Sequence, residues 1–268
     1  MTIPEDRKGD VIKMKEKIYT IPLMDAVRSG DECPFCFIER QLEQRVITFI
    51  LGSAYMEEDI RKQTDKIGFC RQHYKMMFDY GNQLGNALML KTHLAKLCKE
   101  LKLELKTLSP KKSPLLSKFK KTAPEDETRN TSIGNWTRAK ENSCYVCNHF
   151  KDVYPRYVDT FFEMIKNDEV FYKLVENGKG FCLPHFGDLM EAAPDQLNGK
   201  HQERFYSMIG PLMEKHIERL YEDVSWFVEK NDYRFKDADW KDSRDAVQRG
   251  MQKVAGGHPA DPVFMSKR

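Results

Sequence analysis

Gly-Phe-Cys-x-x-His occurs twice in this chain, as GFCRQH at residues 68–73 and as GFCLPH at 180–185. Each copy follows a Cys-x-x-Cys, CPFC at 33–36 and CYVC at 144–147. Between Cys36 and Cys70 lie 33 residues, and between Cys147 and Cys182 lie 34. Four ligand-type residues in the same order and at nearly equal spacing mark a tandem duplication. The stretches between them still match weakly: RVITFI (45–50) lies over YVDTFF (157–162), pairing Val46 with Val158, Thr48 with Thr160 and Phe49 with Phe161.

The chemistry of the four residues points to a metal ion. A Cys-x-x-Cys brings two thiolates to one ion from a single turn of chain, and a Cys-x-x-His at a helix start adds a third thiolate and an imidazole. Three sulfurs and one nitrogen suit tetrahedral Zn²⁺, and four protein ligands close its shell, which marks a structural site. Within each repeat the spacing predicts one such site: Cys33, Cys36, Cys70 and His73 in the first, Cys144, Cys147, Cys182 and His185 in the second. Gly68 and Gly180 let the chain turn tightly into the following helix, whose dipole favours the thiolates of Cys70 and Cys182. Iron–sulfur clusters stay open as the alternative cofactor, since three cysteines and a histidine can hold one. A thioredoxin-like redox motif needs a βαβ setting that is missing here. Covalent haem attachment needs His directly after Cys-x-x-Cys, where this chain has Phe37 and Asn148.

The fold reads as all-α, a helical bundle built from the two repeats. Leu84, Leu88, Leu94, Cys98, Leu101 and Leu105 share one face at helical spacing, as do Phe205, Ile209, Leu212, His216, Leu220, Val224 and Phe227. That places Cys98, the one cysteine outside the pattern, in the core. SRDAVQRGMQKVAGG reads as a last helix with Ser243 as N-cap and Gly256 as stop. The expected organisation is a lead and repeat one over 1–107, a linker rich in Lys, Ser, Thr and Pro over 108–135, repeat two over 136–230, and a cover helix and tail over 231–268.

Composition narrows the function classes. The 268 residues are 40% hydrophobic, enough for a core, and the net charge of +3 points to neither nucleic acid nor an anionic membrane. No apolar run reaches the length of a membrane span and no signal-peptide pattern opens the chain, so a cytoplasmic protein with reduced thiols is expected. The six lysines of 105–124 read as a solvated linker rather than a nucleic-acid contact. Glu57, Glu58 and Asp59 read as a solvated helix face. FVEKNDYRFKDADW (227–240) reads as a cover for the bundle.

A second echo follows each site, HLAKL at 93–97 and HIERL at 216–220. His93 and His216 are candidates for a cleft between the repeats, available for a second metal, for support of the first, or for proton transfer; the plainer reading is two packed, hydrogen-bonded histidines.

The stretch YTIPLMDAVRSGDECPFCFIER…GFCRQH…GNQLGNALMLKTHLAKL resembles an uncharacterised bacterial family known as a domain of unknown function. That resemblance spans nearly the whole chain and implies the metal-ligand role of all eight residues, with no activity attached. Two function classes follow. One is a protein with two structural zinc ions that binds a partner, protein or small molecule, as a scaffold. The other is an iron–sulfur or other metal-dependent redox enzyme with a cleft between the repeats. No catalytic residue is assigned.

Overall fold

The computed structural model describes residues 18–108 and 131–264. Among them there are helices, turns and no strand, as the periodicity predicts. The helices are α1 (18–28), α2 (Pro34–Gly52), α3 (Glu58–Ile67), α4 (Arg71–Tyr80), α5 (Gln83–Lys106), α6 (Ser132–Glu141), α7 (Tyr145–Asn167), α8 (Glu169–Glu176), α9 (Leu183–Gln196), α10 (Gly199–Lys230) and α11 (Ala246–Ala255). No helix among the described residues is long and apolar enough to cross a membrane.

The helix starts follow from local chemistry. Pro34 opens α2 at the position where a missing N–H costs nothing. Asn82 caps α5 by accepting from Gly85 N at 2.9 Å, and Thr131 and Asp168 cap α6 and α8 in the same way. Gly256 ends α11 as expected, but the N-cap is Asp245. Ser243 instead ends a short 3₁₀ turn, its hydroxyl donating to Trp240 O at 2.7 Å. Of the segment read as a linker, 109–130 lies outside the described residues, and α6 begins within its last residues.

The chain divides into two compact units, and the division falls within α2 and α7. Unit 1 takes residues up to Glu43 and Phe150–Pro262; unit 2 takes Gln44–His149 and the residues from Val263. Each unit therefore combines the front of one sequence repeat with the rear of the other.

The core of unit 1 is aromatic. Phe35, Phe161, Phe162, Phe171, Phe181 and Phe205 are fully buried. Phe161 meets Phe181 edge to face at 5.7 Å, and Phe162 meets Phe205 at 5.4 Å. Phe35 belongs to CPFC and Phe181 to GFC, so the ligand motifs carry their own anchors into the core. From the second long stripe, Phe205, Ile209, Leu212, His216 and Leu220 of α10 are buried as predicted. The aromatic segment after α10 folds back on it: Trp226 donates to Asp239 O at 2.9 Å, and Trp240 packs on Phe227.

Unit 2 has a smaller core of Ile47, Ile50, Leu51, Phe69, Met76, Met77, Met89 and Val146. Phe49 is exposed although its repeat partner Phe161 is buried. The α5 stripe departs from expectation. Leu84, Leu94, Cys98, Leu101 and Leu105 are exposed, because α5 packs through its opposite face. On that face Thr92 donates to Asp65 and Trp136 donates to Glu100. Glu57, Glu58 and Asp59 face solvent as read.

Candidate metal centres

The eight predicted ligands come together four by four, but with partners exchanged between the repeats. In unit 1, Cys33 and Cys36 meet Cys182 and His185; in unit 2, Cys144 and Cys147 meet Cys70 and His73. Within each group all four ligand atoms lie within 4.8 Å of one another, so each could hold a metal ion. The expected pairing of Cys-x-x-Cys with the Cys-x-x-His of its own repeat is thereby corrected. The cause is packing: Phe35 is drawn into the cluster of Phe161 and Phe181, which belong to repeat two.

Both groups are built alike. In unit 1, His185 Nδ1 lies 3.4 Å from Cys33 Sγ, 3.5 Å from Cys36 Sγ and 3.1 Å from Cys182 Sγ, and Cys36 and Cys182 are 3.6 Å apart. In unit 2, His73 Nδ1 lies 3.1 Å from Cys70 Sγ, 3.2 Å from Cys144 Sγ and 3.5 Å from Cys147 Sγ, and Cys70 and Cys147 are 3.9 Å apart. Each site is met by two helix N-termini. Cys70 and Cys182 are N-caps of α4 and α9, while α2 and α7 begin directly after Cys33 and Cys144. The carbonyls of Cys33, Cys70, Cys144 and Cys182 each accept the first-turn bond, from Phe37, Tyr74, Asn148 and Phe186. Two positive helix ends thus point at three sulfurs, which favours thiolate.

Gly68 and Gly180 make the entry to the second helix possible. Their φ values are +75° and +76°, and a Cβ at either would lie 2.9 Å from a neighbouring side chain, His93 at Gly68 and Met213 at Gly180.

The local fields divide the sulfurs. Hydrogen bonds from Cys33 and Cys36 hold Cys182 down at about 4, and the bond to Cys182 pushes Cys36 far up. In unit 2, burial opposes ionisation of Cys144, yet the bond from His73 and the N–H of Cys147 bring it to about 6. Burial and the neighbouring Cys144 push Cys147 up. Three sulfurs this close resist ionising together, and a bound cation removes that resistance.

Residues 14–261 match the model of a family of unknown function, DUF6062. The chain belongs to that family. No curated protein and no solved structure matches it.

This DUF6062 chain guards its two sites unequally. In unit 1 all four ligands are buried, His185 included at 7% exposure, whereas Cys70 and Cys147 of unit 2 are partly exposed. The end of α11 lies against the first site, where Gly257 N–H donates to Cys36 Sγ at 3.3 Å. The His185 ring packs against Phe35 and Tyr154, each with its centroid 5.7 Å away, and its Nε2 lies 3.9 Å from Glu39. Glu39 places a carboxylate near the outer nitrogen of this ring at ion-pair distance, too far for a hydrogen bond.

A charged cluster missed in the sequence surrounds Glu32, directly before Cys33. Its side chain is 2% exposed; Arg219 bonds Oε2 at 2.6 Å, Lys253 lies at 3.4 Å, and Lys179 and Arg249 face Oε1. Lys253, itself buried, also donates to the carbonyls of Glu32 and Lys179 at 2.7 Å each, tying together the two segments that lead into the site. Nothing in the motif spacing reveals this, because Arg219 lies in α10 and Arg249 and Lys253 lie in α11. Burial opposes the charge on Glu32, but Arg219 and Lys253 outweigh it and hold the carboxyl below its usual value of 4.5. The folded pKa is depressed, so the stability it adds is present above about pH 4.5 and lost as pH falls through the folded value. Glu32→Gln is expected to lower unfolding stability by about 3 kcal/mol at neutral pH, because it strands Lys253 without a counter-charge. Denaturant unfolding of both proteins, metal-loaded, should show the gap closing in acid. A constant gap would mean that charge is not its source.

His93 and His216 fall in different units and in different local places. His93 donates from Nδ1 to Asp65 O at 2.9 Å and packs on Gly68. The matching place against Gly180 belongs to Met213, and His216, farther along α10, accepts from Arg219 Nε at 3.1 Å. Burial and the charges of Arg219 and Lys253 lower the pKa of His216.

Proposed function

We propose that each group holds one structural zinc ion, and that the protein is a metal-braced helical scaffold that acts by binding. The observation that carries this reading is the spacing of the ligand atoms. Zinc bonds of about 2.3 Å to sulfur and about 2.0–2.1 Å to nitrogen, at tetrahedral angles, set ligand atoms about 3.8 Å (S to S) and about 3.5 Å (S to N) apart. One S–S pair in each site is 3.6 or 3.9 Å apart, the S–N separations are 3.1–3.5 Å, and all four atoms of each site lie within 4.8 Å of one another. Four atoms drawn around one point suit a single ion; a multi-iron cluster spreads its terminal sulfurs over separate irons. With three sulfurs and one nitrogen occupying all four positions, no position is left for substrate, which favours a bracing role over a catalytic one. When bound, the ion supplies charge neutralisation and a covalent-strength link between two helix starts in each unit.

Anaerobic purification followed by metal analysis and a visible spectrum tests this. The expected protein is colourless and carries two zinc ions per chain. A brown protein with iron and sulfide would overturn the zinc reading and support the redox alternative.

A further inference from the structure

We propose that the outward face of α5 is the surface on which a second copy of this chain docks. Leu84, Ala87, Lys91, Leu94, Cys98, Leu101 and Leu105 of α5 follow one another in alternating steps of three and four residues. That is the seam of a two-helix coiled coil, and every one of these positions is exposed. The opposite face of α5 is already engaged: Thr92 and His93 hold Asp65 of α3, and Trp136 and Lys140 of α6 hold Glu100. Leu84 and Leu94 are each more than half exposed, at 67% and 53%. Together with Leu101 and Leu105 they offer roughly 350 Å² of leucine surface per copy, a patch of the size that marks an interaction site. Mating two copies removes about 700 Å² of it, with Ala87, Lys91 and Cys98 adding to that, which is the size of a weak, reversible interface.

The length of the seam selects the occupant. A groove that takes up a short helix needs anchors over two or three turns. Here the seam runs from Leu84 to Leu105 of α5, about 32 Å of helix, and the element that matches it along its whole length by the same periodicity is α5 of another copy. A two-fold pair uses one patch twice and closes on itself. Lys91 is the one charged seam position and weakens the pairing, so monomer and dimer exchange with concentration.

This names a partner for the scaffold reading and rests on it; the metal assignment does not enter. Sedimentation of the metal-loaded full chain, in reductant so that Cys98 cannot cross-link, is expected to show a concentration-dependent species of twice the chain mass. Leu94→Glu with Leu101→Glu should weaken association by about 100-fold or more, since a charge buried in an apolar seam is unpaired. Its helical content and zinc content should remain unchanged. Leu103→Glu, exposed but off the seam, should leave the dimer intact. A wild-type chain that is monomeric at every concentration while carrying two zinc ions would overturn this inference alone. So would a dimer that the double variant does not weaken.

Discussion

Serine at Cys33 and Cys182 together is expected to remove one metal ion per chain, whereas serine at Cys33 and Cys70 removes two. The first pair shares the unit 1 group, so the second substitution strikes a site already broken. The second pair takes one ligand from each group. Ligands of one site couple strongly and ligands of separate sites add. Pairing within repeats reverses both counts, so metal analysis of these two variants decides between the arrangements without a structure. Each single Cys→Ser should lose one ion, because two sulfurs and an imidazole hold zinc far more weakly than the full set.

Chelation is expected to have the largest effect on stability. A structural zinc site contributes about 10 kcal/mol or more of apparent free energy at neutral pH, comparable to the whole stability of a domain. The loss should come in two steps. The unit 2 ion should leave first, because Cys70 and Cys147 are partly exposed while the unit 1 ligands are buried beneath the Gly257 turn. A chelating dye should therefore record a fast ion and a slow ion, with helical signal lost alongside each. Cys70→Ser should abolish the fast phase and keep the slow one. A single phase for both ions would show that the difference in ligand exposure does not control release.

Much of the site was legible because metal chemistry is local. Cys-x-x-Cys and Gly-Phe-Cys-x-x-His state the donor atoms, their number and the helix starts that present them, and Gly68 and Gly180 take up the positive φ that the motif implies. The all-α class was legible for a similar reason, since periodicity and caps are properties of neighbouring residues. What surrounds the sites was not. Glu32 is one acidic residue among 41 Asp and Glu until Arg219, Arg249 and Lys253 are brought to it from far along the chain.

The two long stripes separate the levels further. Periodicity puts leucines on one face of α5 and mixed apolar residues on one face of α10, with nothing to tell them apart. In α10 that face is covered by the phenylalanine core; in α5 it is open and the helix packs through its other side. A repeat of 3.6 says which residues travel together, not what lies opposite them.

By itself, then, the sequence determined the eight candidate ligands and the helical elements that carry them. Tertiary structure alone decided which pair of cysteines meets which Cys-x-x-His. The repeats offer identical donor sets, so either pairing satisfies the metal equally well. The choice passes to side chains outside the coordination shell: Phe35 buries itself among Phe161 and Phe181 of the other repeat, and Val146 finds room in the smaller core of unit 2. Packing, and not ligand chemistry, interleaves the two halves of the duplication.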